Sequence, residues 1–213
     1  MTSRIVILTK EPRPGSVKTR LIPSVGAHAA ARLHESMVWE TIRRATRSGL
    51  PTRVALDGAL DSHFAEKIRD LGLPVDAQAN GDLGDRLSHA MHGSERTIAL
   101  GTDCVVFDPE WLLAAASSKS VSIGPADDGG YWMIGVTPAP PSILQTLFAE
   151  IPWSTSSVCE ETVARLRQNH QEVHWLPTSY DVDTMADLVR LRNDPACPDA
   201  ILPVINASLP IPR

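Results

Sequence analysis

The sequence contains few residues that could form covalent cross-links or a structural metal site. Its 213 residues include only three cysteines, Cys104, Cys159 and Cys197, which lie far apart and form no Cys-x-x-Cys pair. An odd number of isolated cysteines argues against a disulfide framework and against a structural zinc site. The composition therefore fits a protein of the reducing cytoplasm, stabilised by a hydrophobic core.

Long hydrophobic runs and an excess of positive charge are also missing. The first apolar run, at residues 5–8, is four residues long, which is too short for the core of a signal peptide or for a transmembrane helix. Lysine and arginine together number 20 against 25 acidic residues, a net charge of -5. This balance disfavours nucleic acid and anionic membranes as partners, so a site for an anion has to be local.

Several common catalytic motifs have no counterpart in the chain. The sequence contains no Gly-x-x-x-x-Gly-Lys-Ser/Thr loop, no His-Glu-x-x-His, no nucleophile elbow and no Gly-x-Gly-x-x-Gly. P-loop nucleotidase, zinc protease, esterase and Rossmann dehydrogenase functions therefore lack support.

Short β-branched runs alternate with longer segments of helical periodicity. This alternation predicts a single α/β domain with a mostly parallel sheet sandwiched by helices. The predicted strands are 5–8, 53–56, 97–100, 120–123, 131–136 and 172–176. The predicted helices are 27–47, 63–71, 83–92, 111–116, 157–167 and 185–192. Asp108 is the predicted N-cap of the fourth helix, and a capping box at Ser157 opens the fifth.

The last twenty residues differ in composition from the rest of the chain. Residues 194–213 are rich in proline and show no periodicity, whereas residues 1–193 carry all the predicted strands and helices and form one domain. We predict that the terminal segment is extended and packs on the surface or on a partner. A homodimer contact through this segment stays open.

The loop that follows the first predicted strand is the strongest local signal for a ligand. It reads Lys-Glu-Pro-Arg-Pro-Gly-Ser-Val-Lys-Thr-Arg-Leu at residues 10–21 and concentrates positive charge in an acidic protein. Ligands of open α/β sheets bind beyond the carboxyl ends of the strands, so the loop predicts a polyphosphate site. Its predicted nucleotide-binding residues are Lys10, Pro14, Gly15, Lys18, Thr19 and Arg20. The alternative is a solvated basic loop.

Two acidic segments could place a divalent cation beside that loop. Asp103 lies in Gly-Thr-Asp-Cys directly after the strand at 97–100, and Asp183 lies in Tyr-Asp-Val-Asp-Thr before the last helix. Carboxylates at the carboxyl ends of strands are natural ligands for a Mg²⁺ or Mn²⁺ ion that also binds a substrate phosphate. If residues 180–184 are extended, the side chains of Asp181 and Asp183 lie on the same face. We predict Asp103 and Asp183 as metal ligands. The alternatives are a turn aspartate at Asp103 and a helix cap at Asp183 or Thr184.

A loop between two later strands predicts an acceptor site. Residues 124–135 read Gly-Pro-Ala-Asp-Asp-Gly-Gly-Tyr-Trp-Met-Ile-Gly, and the aromatic and acidic groups could bind a second substrate. The predicted acceptor-binding residues are Asp127, Asp128, Gly129, Gly130, Tyr131 and, from residues 153–156, Trp153. Asp128 is the predicted base or hydroxyl-orienting acid. Gly81 and Arg86 are predicted to line the nucleotide side, while an ordinary hairpin turn is the alternative for residues 127–130.

Six segments in this order, KEPRPGSVKTRL, NGDLGDRL, GTDC, GPADDGGYWMIG, IPWSTSSV and YDVDT, resemble a known family. The resemblance runs over residues 4–192 and is to the radical-SAM/selenodomain-associated transferase 1 family, formerly a domain of unknown function. The first and last segments are also distantly similar to 2-phospholactate and molybdenum-cofactor guanylyltransferases. The resemblance implies the glycosyltransferase-A fold of nucleotide-diphospho-sugar transferases and a site that depends on Mg²⁺ or Mn²⁺. Val105 departs from the proline usual in the family, and the chain lacks the Gly-Gly-x-Gly-x-Arg loop of ordinary sugar nucleotidyltransferases.

Two reactions fit these features. The favoured one is nucleotidyl transfer from a nucleoside triphosphate to a small phosphate- or phosphonate-bearing metabolite, with release of pyrophosphate, because three cations in one loop match a triphosphate. In that reaction Lys18 and Arg20 would hold the β- and γ-phosphates, Lys10 would offset charge at the α-phosphate and Asp128 would orient the acceptor. The alternative is a glycosyltransferase that moves a sugar from a nucleotide sugar to a small acceptor. A nucleotide-binding module without turnover is a third hypothesis.

Overall fold

The computed structural model describes residues 2–209. The strands are β1 (Ser3–Lys10), β2 (Thr52–Asp57), β3 (Val75–Ala77), β4 (Arg96–Leu100), β5 (Val121–Pro125), β6 (Tyr131–Val136) and β7 (Val173–Trp175). The helices are α1 (Ile22–Val25), α2 (Ala27–Arg47), α3 (His63–Asp70), α4 (Leu83–Met91), α5 (Pro109–Ser117), α6 (Pro141–Phe148), α7 (Val158–Gln168), α8 (Met185–Asn193) and α9 (Leu202–Ser208).

The seven strands form one mostly parallel sheet. Their order across the sheet is β3-β2-β1-β4-β6-β5-β7. Only β6 runs against its neighbours, pairing antiparallel with β4 and with β5. The prediction of a mostly parallel sheet flanked by helices is confirmed.

Alternation along the strands supplies a core to each face of the sheet. Ile5 and Ile7 of β1 are fully buried in a cluster that includes Phe64 of α3, whereas Val6 is buried in the cluster on the other face with Leu87 of α4. Strands buried on both faces read as continuous apolar runs, which is why residues 5–8 carry no polar residue. None of the helices within residues 2–209 is long and apolar enough to cross a membrane.

The parallel pairing of β1 with β4 determines where a site can form. The register places Ile7 opposite Leu100, the last residue of β4. Lys10 ends β1, so the loop at residues 11–21, which we call the first loop, leaves the sheet beside residues 101–104. The carboxyl ends of these two strands therefore bring the basic loop and Asp103 to the same edge.

The segment from residue 194 onward corrects the sequence prediction. Instead of an extended tail it forms α9, and Ile201 and Ile205 are fully buried in a cluster with Leu33 of α2. Pro203 lies in the first turn of α9, where a missing backbone N–H breaks no helical hydrogen bond. Residues 210–213 of the predicted tail lie outside the described residues.

Three further elements of the structure were not predicted, and one predicted helix cap is wrong. The structure adds β3, α1 and α6, the last of which begins with a proline in its first turn. Ser157 precedes α7 but its side chain accepts no capping hydrogen bond. In contrast, Asp108 caps α5 by accepting a hydrogen bond from the Glu110 amide, as the Asp-Pro pair predicts.

Candidate active site

A cavity of about 520 Å³ opens at the carboxyl ends of β1 and β4. Its walls come from the first loop, from residues 101–104 and from the segment before α8. The predicted site residues that line it are Lys10, Lys18, Thr19, Arg20, Arg86, Asp103, Tyr131 and Asp183. Residues far apart in sequence thus meet in one cavity.

The floor of this cavity is an ammonium between two carboxylates. Lys18 Nζ donates hydrogen bonds to Asp103 Oδ1 and, at 3.1 Å, to Asp183 Oδ1. The Lys18 side chain is 2% exposed, whereas the side chains of Asp103 and Asp183 are 49% and 41% exposed. We call Asp103 and Asp183 the carboxylate pair. Its two members face the cavity, and Lys18 lies beneath them.

Electrostatics within the cluster are strongly coupled. Burial alone would lower the pKa of Lys18, but the carboxylate pair outweighs it and the pKa is raised. Burial raises the pKa of Asp103, but Lys18, together with His34 and Lys10, outweighs this effect and holds the pKa below its ordinary value. At Asp181, burial and the neighbouring carboxylates of Asp103 and Asp128 outweigh the opposing effect of Lys18 and raise the pKa to about 7.

Local backbone contacts fix the conformation at Lys18 and join the two acidic segments. Lys18 has a left-handed backbone with φ of 47°, and its carbonyl accepts a hydrogen bond from the Leu21 amide at 2.9 Å. The Val182 amide donates to the Asp103 carbonyl at 2.9 Å and so joins the two acidic segments. A non-glycine residue in this conformation is strained, and such strain is common at ligand sites.

The helix cap expected near Asp183 belongs to the next residue. Thr184 and Asp187 form a reciprocal capping box at the start of α8. The carboxylate of Asp183 is left to face Lys18 and, at 3.7 Å, Arg20 Nη1. The cap and the site therefore use different side chains.

A hydrogen-bonded network shapes the opposite wall. Gln78 Nε2 donates to the carbonyls of Thr9 at 2.8 Å and Ala55 at 2.9 Å, and Gln78 Oε1 accepts from Arg86 Nη1 at 3.1 Å. Arg86 Nη1 also donates to Asp57 Oδ2 at 2.8 Å. The Arg86 side chain is thus fixed by protein partners, and Gln78 ties it to the end of β1.

Two cations of the cavity remain accessible. Lys10 is exposed at the end of β1 and is within 4 Å of no carboxylate of residues 2–209. Arg20 has a side chain that is 70% exposed and only a 3.7 Å contact with Asp183. Both can therefore bind an anion in the cavity without breaking a buried contact.

Most of the predicted acceptor residues are engaged in other contacts. Asp127 Oδ2 accepts a hydrogen bond from Arg190 Nη1 at 2.7 Å, and Asp128 Oδ1 accepts from the Gly130 amide at 2.9 Å. The Gly129 carbonyl accepts from the Cys159 amide at 2.9 Å, which ties this loop to the start of α7.

Eight predicted site residues do not line the cavity: Pro14, Gly15, Gly81, Asp127, Asp128, Gly129, Gly130 and Trp153. Trp153 packs edge-on against Tyr131, with ring centroids 6.5 Å apart. Among the predicted acceptor-binding residues only Tyr131 lines the cavity, and the neighbouring Trp132 lines it as well. A role of the others in acceptor binding stays a prediction.

Sequence analysis missed several residues of the cavity. Gln78 follows β3, a three-residue strand too short for a periodicity signal, and Thr9 and Thr102 are neutral residues at strand ends. The hydroxyl oxygens of Thr9 and Thr102 lie 3.3 Å apart. His34 of α2 also lines the cavity, and its Nε2 lies 3.0 Å from the Lys10 carbonyl oxygen. Burial lowers the pKa of His34.

The donor set of the cavity fits a divalent cation that is shared with phosphate. No cluster of three His, Cys, Asp or Glu side chains among residues 2–209 is arranged to hold a metal by itself. The half-exposed oxygens of Asp103 and Asp183 are nevertheless the hard ligands that Mg²⁺ and Mn²⁺ prefer. Mg²⁺ is commonly held by one or two carboxylates together with substrate phosphates, so a pair suffices.

A comparison with protein families decides the relationship of this chain. Residues 41–155, just over half of the chain, match the family described as "Uncharacterized protein conserved in bacteria (DUF2064)". The chain belongs to the DUF2064 family. A search of curated proteins found no match.

Solved structures are similar to this DUF2064 protein over most or nearly all of its length. A protein from Desulfovibrio desulfuricans G20, named as a candidate nucleotide-diphospho-sugar transferase, is 29% identical, with a TM-score of 0.81 over 99% of this chain and 100% of the other. A Mycobacterium tuberculosis H37Rv protein in complex with manganese is 17% identical, with a TM-score of 0.54 over 89% and 97% of the two chains. CTP:phosphocholine cytidylyltransferase from Streptococcus pneumoniae is 11% identical, with a TM-score of 0.54 over 90% and 98%. The two distant likenesses show a common fold.

Proposed function

We propose that this DUF2064 protein is a metal-dependent nucleotidyltransferase. It transfers a nucleoside monophosphate from a nucleoside triphosphate to a small acceptor that bears a phosphate or phosphonate, and it releases pyrophosphate. The broader assignment, a transferase enzyme that uses a nucleotide donor, is supported by the full-length match to a candidate nucleotide-diphospho-sugar transferase. Membership of the radical-SAM/selenodomain-associated transferase 1 family is part of this proposal.

The observation that carries the proposal is the meeting of exposed cations and exposed carboxylates in one cavity. Lys10 and Arg20 come from the first loop and its preceding strand, and the carboxylate pair comes from two segments at the same edge of the sheet. Cations and anions that face one space fit a ligand that is itself an anion chelating a cation. A nucleoside triphosphate with its divalent ion is such a ligand.

Each residue has a role set by its exposure. Lys10 and Arg20 bind phosphate oxygens, because their side chains are exposed and the contact of Arg20 with Asp183, at 3.7 Å, is long and solvent-accessible. Arg86 and Gln78 form a fixed wall of the nucleotide site. The carboxylate pair holds Mg²⁺ or Mn²⁺, which when bound neutralises charge that develops on the phosphates.

The proposed acceptor follows from the chemistry of the attacking atom. A phosphate or phosphonate oxygen is ionised at neutral pH and attacks the α-phosphorus without a general base. The one histidine that lines the cavity, His34, is buried and its Nε2 lies against the Lys10 carbonyl. Catalysis then consists of positioning and of charge neutralisation by the residues above.

A second candidate function is glycosyl transfer from a nucleotide sugar. It is favoured by the name of the 29%-identical Desulfovibrio protein, a candidate nucleotide-diphospho-sugar transferase. In that reaction a divalent cation held by the same carboxylate pair would stabilise the diphosphate leaving group, and fewer basic residues would be needed. The two functions differ in the product released, pyrophosphate or a nucleoside diphosphate.

The experiment is a product screen. Each of the four common ribonucleoside triphosphates is incubated with the protein, Mg²⁺ or Mn²⁺ and a set of small phosphate- and phosphonate-bearing acids, and pyrophosphate is measured with a coupled enzyme. Nucleotide sugars are tested in parallel for free nucleoside diphosphate. Pyrophosphate that requires both donor and acceptor supports the proposal. Its absence with every triphosphate, together with nucleoside diphosphate from a nucleotide sugar, replaces it by glycosyl transfer.

A matched pair of variants links the product to the cavity. Asp103→Asn removes one member of the carboxylate pair, and Asp70→Asn makes the same change at an exposed position at the end of α3, away from the cavity. Only Asp103→Asn should lower the rate of pyrophosphate release. Equal rates in the two variants would contradict the role of the carboxylate pair.

A further inference from the structure

Lys18 has the least exposed side chain of the lysines and arginines that line the cavity. Its side chain is 2% exposed and its Nζ donates to both members of the carboxylate pair. Lys10 and Arg20, by contrast, are exposed. The sequence prediction that Lys18 holds the β- and γ-phosphates therefore differs from its observed environment.

The burial of Lys18 makes its pairing with the carboxylates obligatory. An ammonium buried without an opposite charge is strongly destabilising, so the side chain keeps its partners. The backbone is also fixed around the pair, by the left-handed conformation of Lys18 and by the hydrogen bond from the Val182 amide to the Asp103 carbonyl. Lys18 thus acts as an internal counter-ion.

This counter-ion changes what the carboxylate pair can bind. One ammonium shared by two carboxylates leaves a single net negative charge, so a divalent cation at their exposed oxygens gains less attraction and meets the repulsion of Lys18. Phosphate oxygens add negative charge to the same site and reverse that balance. A nucleotide that brings its phosphates restores the affinity that Lys18 removes.

We propose that Lys18 is a positioning residue that holds Asp103 and Asp183 together and weakens their affinity for a free divalent cation, so that the cation binds tightly only together with nucleotide phosphates. This inference rests on the proposed function, in which the carboxylate pair holds the cation. It assigns to the lysine of the first loop a role through the carboxylates rather than on the phosphates. The DUF2064 protein would then be protected against loading with free metal.

The test is Mn²⁺ binding, measured by the electron paramagnetic resonance signal of free Mn²⁺, with and without a nucleoside triphosphate. Lys18→Met keeps the length of the side chain and removes the charge. Its affinity for Mn²⁺ alone should exceed that of the wild type by at least about tenfold, because the repelling charge at contact distance from both ligands is gone. The wild type should bind Mn²⁺ tightly only when the triphosphate is present.

Lys10→Met is the matched control. It removes one positive charge from the same cavity, but Lys10 contacts no carboxylate within 4 Å among the described residues. The affinity of Lys10→Met for Mn²⁺ alone should change by less than about threefold, since the Lys10 ammonium is exposed and water and salt screen its interaction with the bound cation. Thermal unfolding gives a second readout: Lys18→Met should be less stable than the wild type without metal and should gain more stability from Mn²⁺.

The outcomes separate this inference from the proposed function. If Mn²⁺ binds with the triphosphate in the wild type and this binding is lost in Asp103→Asn, but Lys18→Met binds free Mn²⁺ no better than Lys10→Met, the role of Lys18 is refuted and the metal site stands. If Asp103→Asn leaves Mn²⁺–triphosphate binding unchanged, the metal site of the proposed function is refuted. Tighter binding of free Mn²⁺ by Lys18→Met that disappears in the double variant with Asp103→Asn supports both.

Discussion

Two loops leave the same edge of the sheet and differ in how their charged side chains are used. In the first loop, Lys18 packs beneath carboxylates that come from other segments, and Arg20 remains exposed. In the loop at residues 126–130, between β5 and β6, the carboxylates of Asp127 and Asp128 bond to Arg190 and to the loop's own backbone. Lys18 and Arg20 of the first loop face the cavity, whereas the charges of Asp127 and Asp128 serve local structure.

The backbone of the two loops shows the same contrast. Residues 126–130 are tied to their surroundings by hydrogen bonds from the Asp127 amide to the Ser179 carbonyl and from the Cys159 amide to the Gly129 carbonyl. The first loop is tied to β2 by the hydrogen bond from the Glu11 amide to the Asp57 carbonyl at 3.0 Å, and beyond that point it is closed by contacts within itself, such as the Ser16 amide to the Arg13 carbonyl at 3.1 Å. An acidic loop tip is therefore insufficient to predict a site, because its side chains can be consumed by the contacts that fix the loop.

The largest effect is expected at the carboxylate pair. Asp103→Asn should lower the turnover number for pyrophosphate release by at least about a hundredfold, because it removes a preorganised charge at the reacting phosphates. Steady-state kinetics with saturating Mn²⁺ would measure it. A fall of less than about tenfold would place the chemistry elsewhere and remove the contrast between the two loops.

Glycine substitutions sharpen the comparison of the two backbones. Gly15 and Gly129 both have φ of 90°, but a Cβ at Gly129 would overlap the Ser156 carbonyl oxygen, whereas one at Gly15 has no neighbour within 4 Å. Gly129→Ala should lower the free energy of unfolding by at least about 3 kcal/mol, and Gly15→Ala by about 1 kcal/mol. Urea denaturation of both variants tests this, and similar losses would show that the β5–β6 loop can yield.

The pH dependence of stability tests the electrostatics beside Asp103. The pKa of Asp181 is raised to about 7 in the folded protein, so its contribution to stability is full at low pH and is lost as the pH rises through that value. Asp181→Asn should therefore raise the free energy of unfolding at about pH 8 by at least about 1.4 kcal/mol, with the gain shrinking towards about pH 4. Urea denaturation in the presence of a chelator measures it. A gain independent of pH would contradict the raised pKa.

The smallest effect is expected in the β5–β6 loop. The Asp127 and Arg190 side chains are half-exposed, so Asp127→Asn should lower the free energy of unfolding by less than about 1 kcal/mol. Because Asp127 lies outside the cavity, turnover should change by less than about threefold. A loss of turnover as large as that of Asp103→Asn would instead support the predicted role of Asp127 in acceptor binding.

Much of the fold was predictable because its signals are local. The periodicity of residues 27–47 and the run at 131–136 gave α2 and β6 with the bounds observed. The prolines of residues 194–213 misled the prediction at α9, which carries one of them in its first turn, and no element was predicted at α6. The three-residue strand β3 was too short to show alternation.

The site was predictable only in part, because its chemistry depends on contacts between distant residues. The topology rule that ligands bind at the carboxyl ends of parallel strands placed Lys10 and Asp103 in one cavity. The burial of Lys18 could not be predicted, since its carboxylate partners lie 85 and 165 residues away along the chain. Gln78 was missed for a similar reason, as its partners are backbone carbonyls of β1 and β2.

The most direct test of the account follows the phosphorus atoms of the donor. Phosphorus-31 NMR of the protein with Mg²⁺, a nucleoside triphosphate and an active acceptor should show pyrophosphate and a new α-phosphate resonance appearing together, and neither should appear with Asp103→Asn. Formation of nucleoside diphosphate from a nucleotide sugar, with every triphosphate left intact, would contradict nucleotidyl transfer in this cavity.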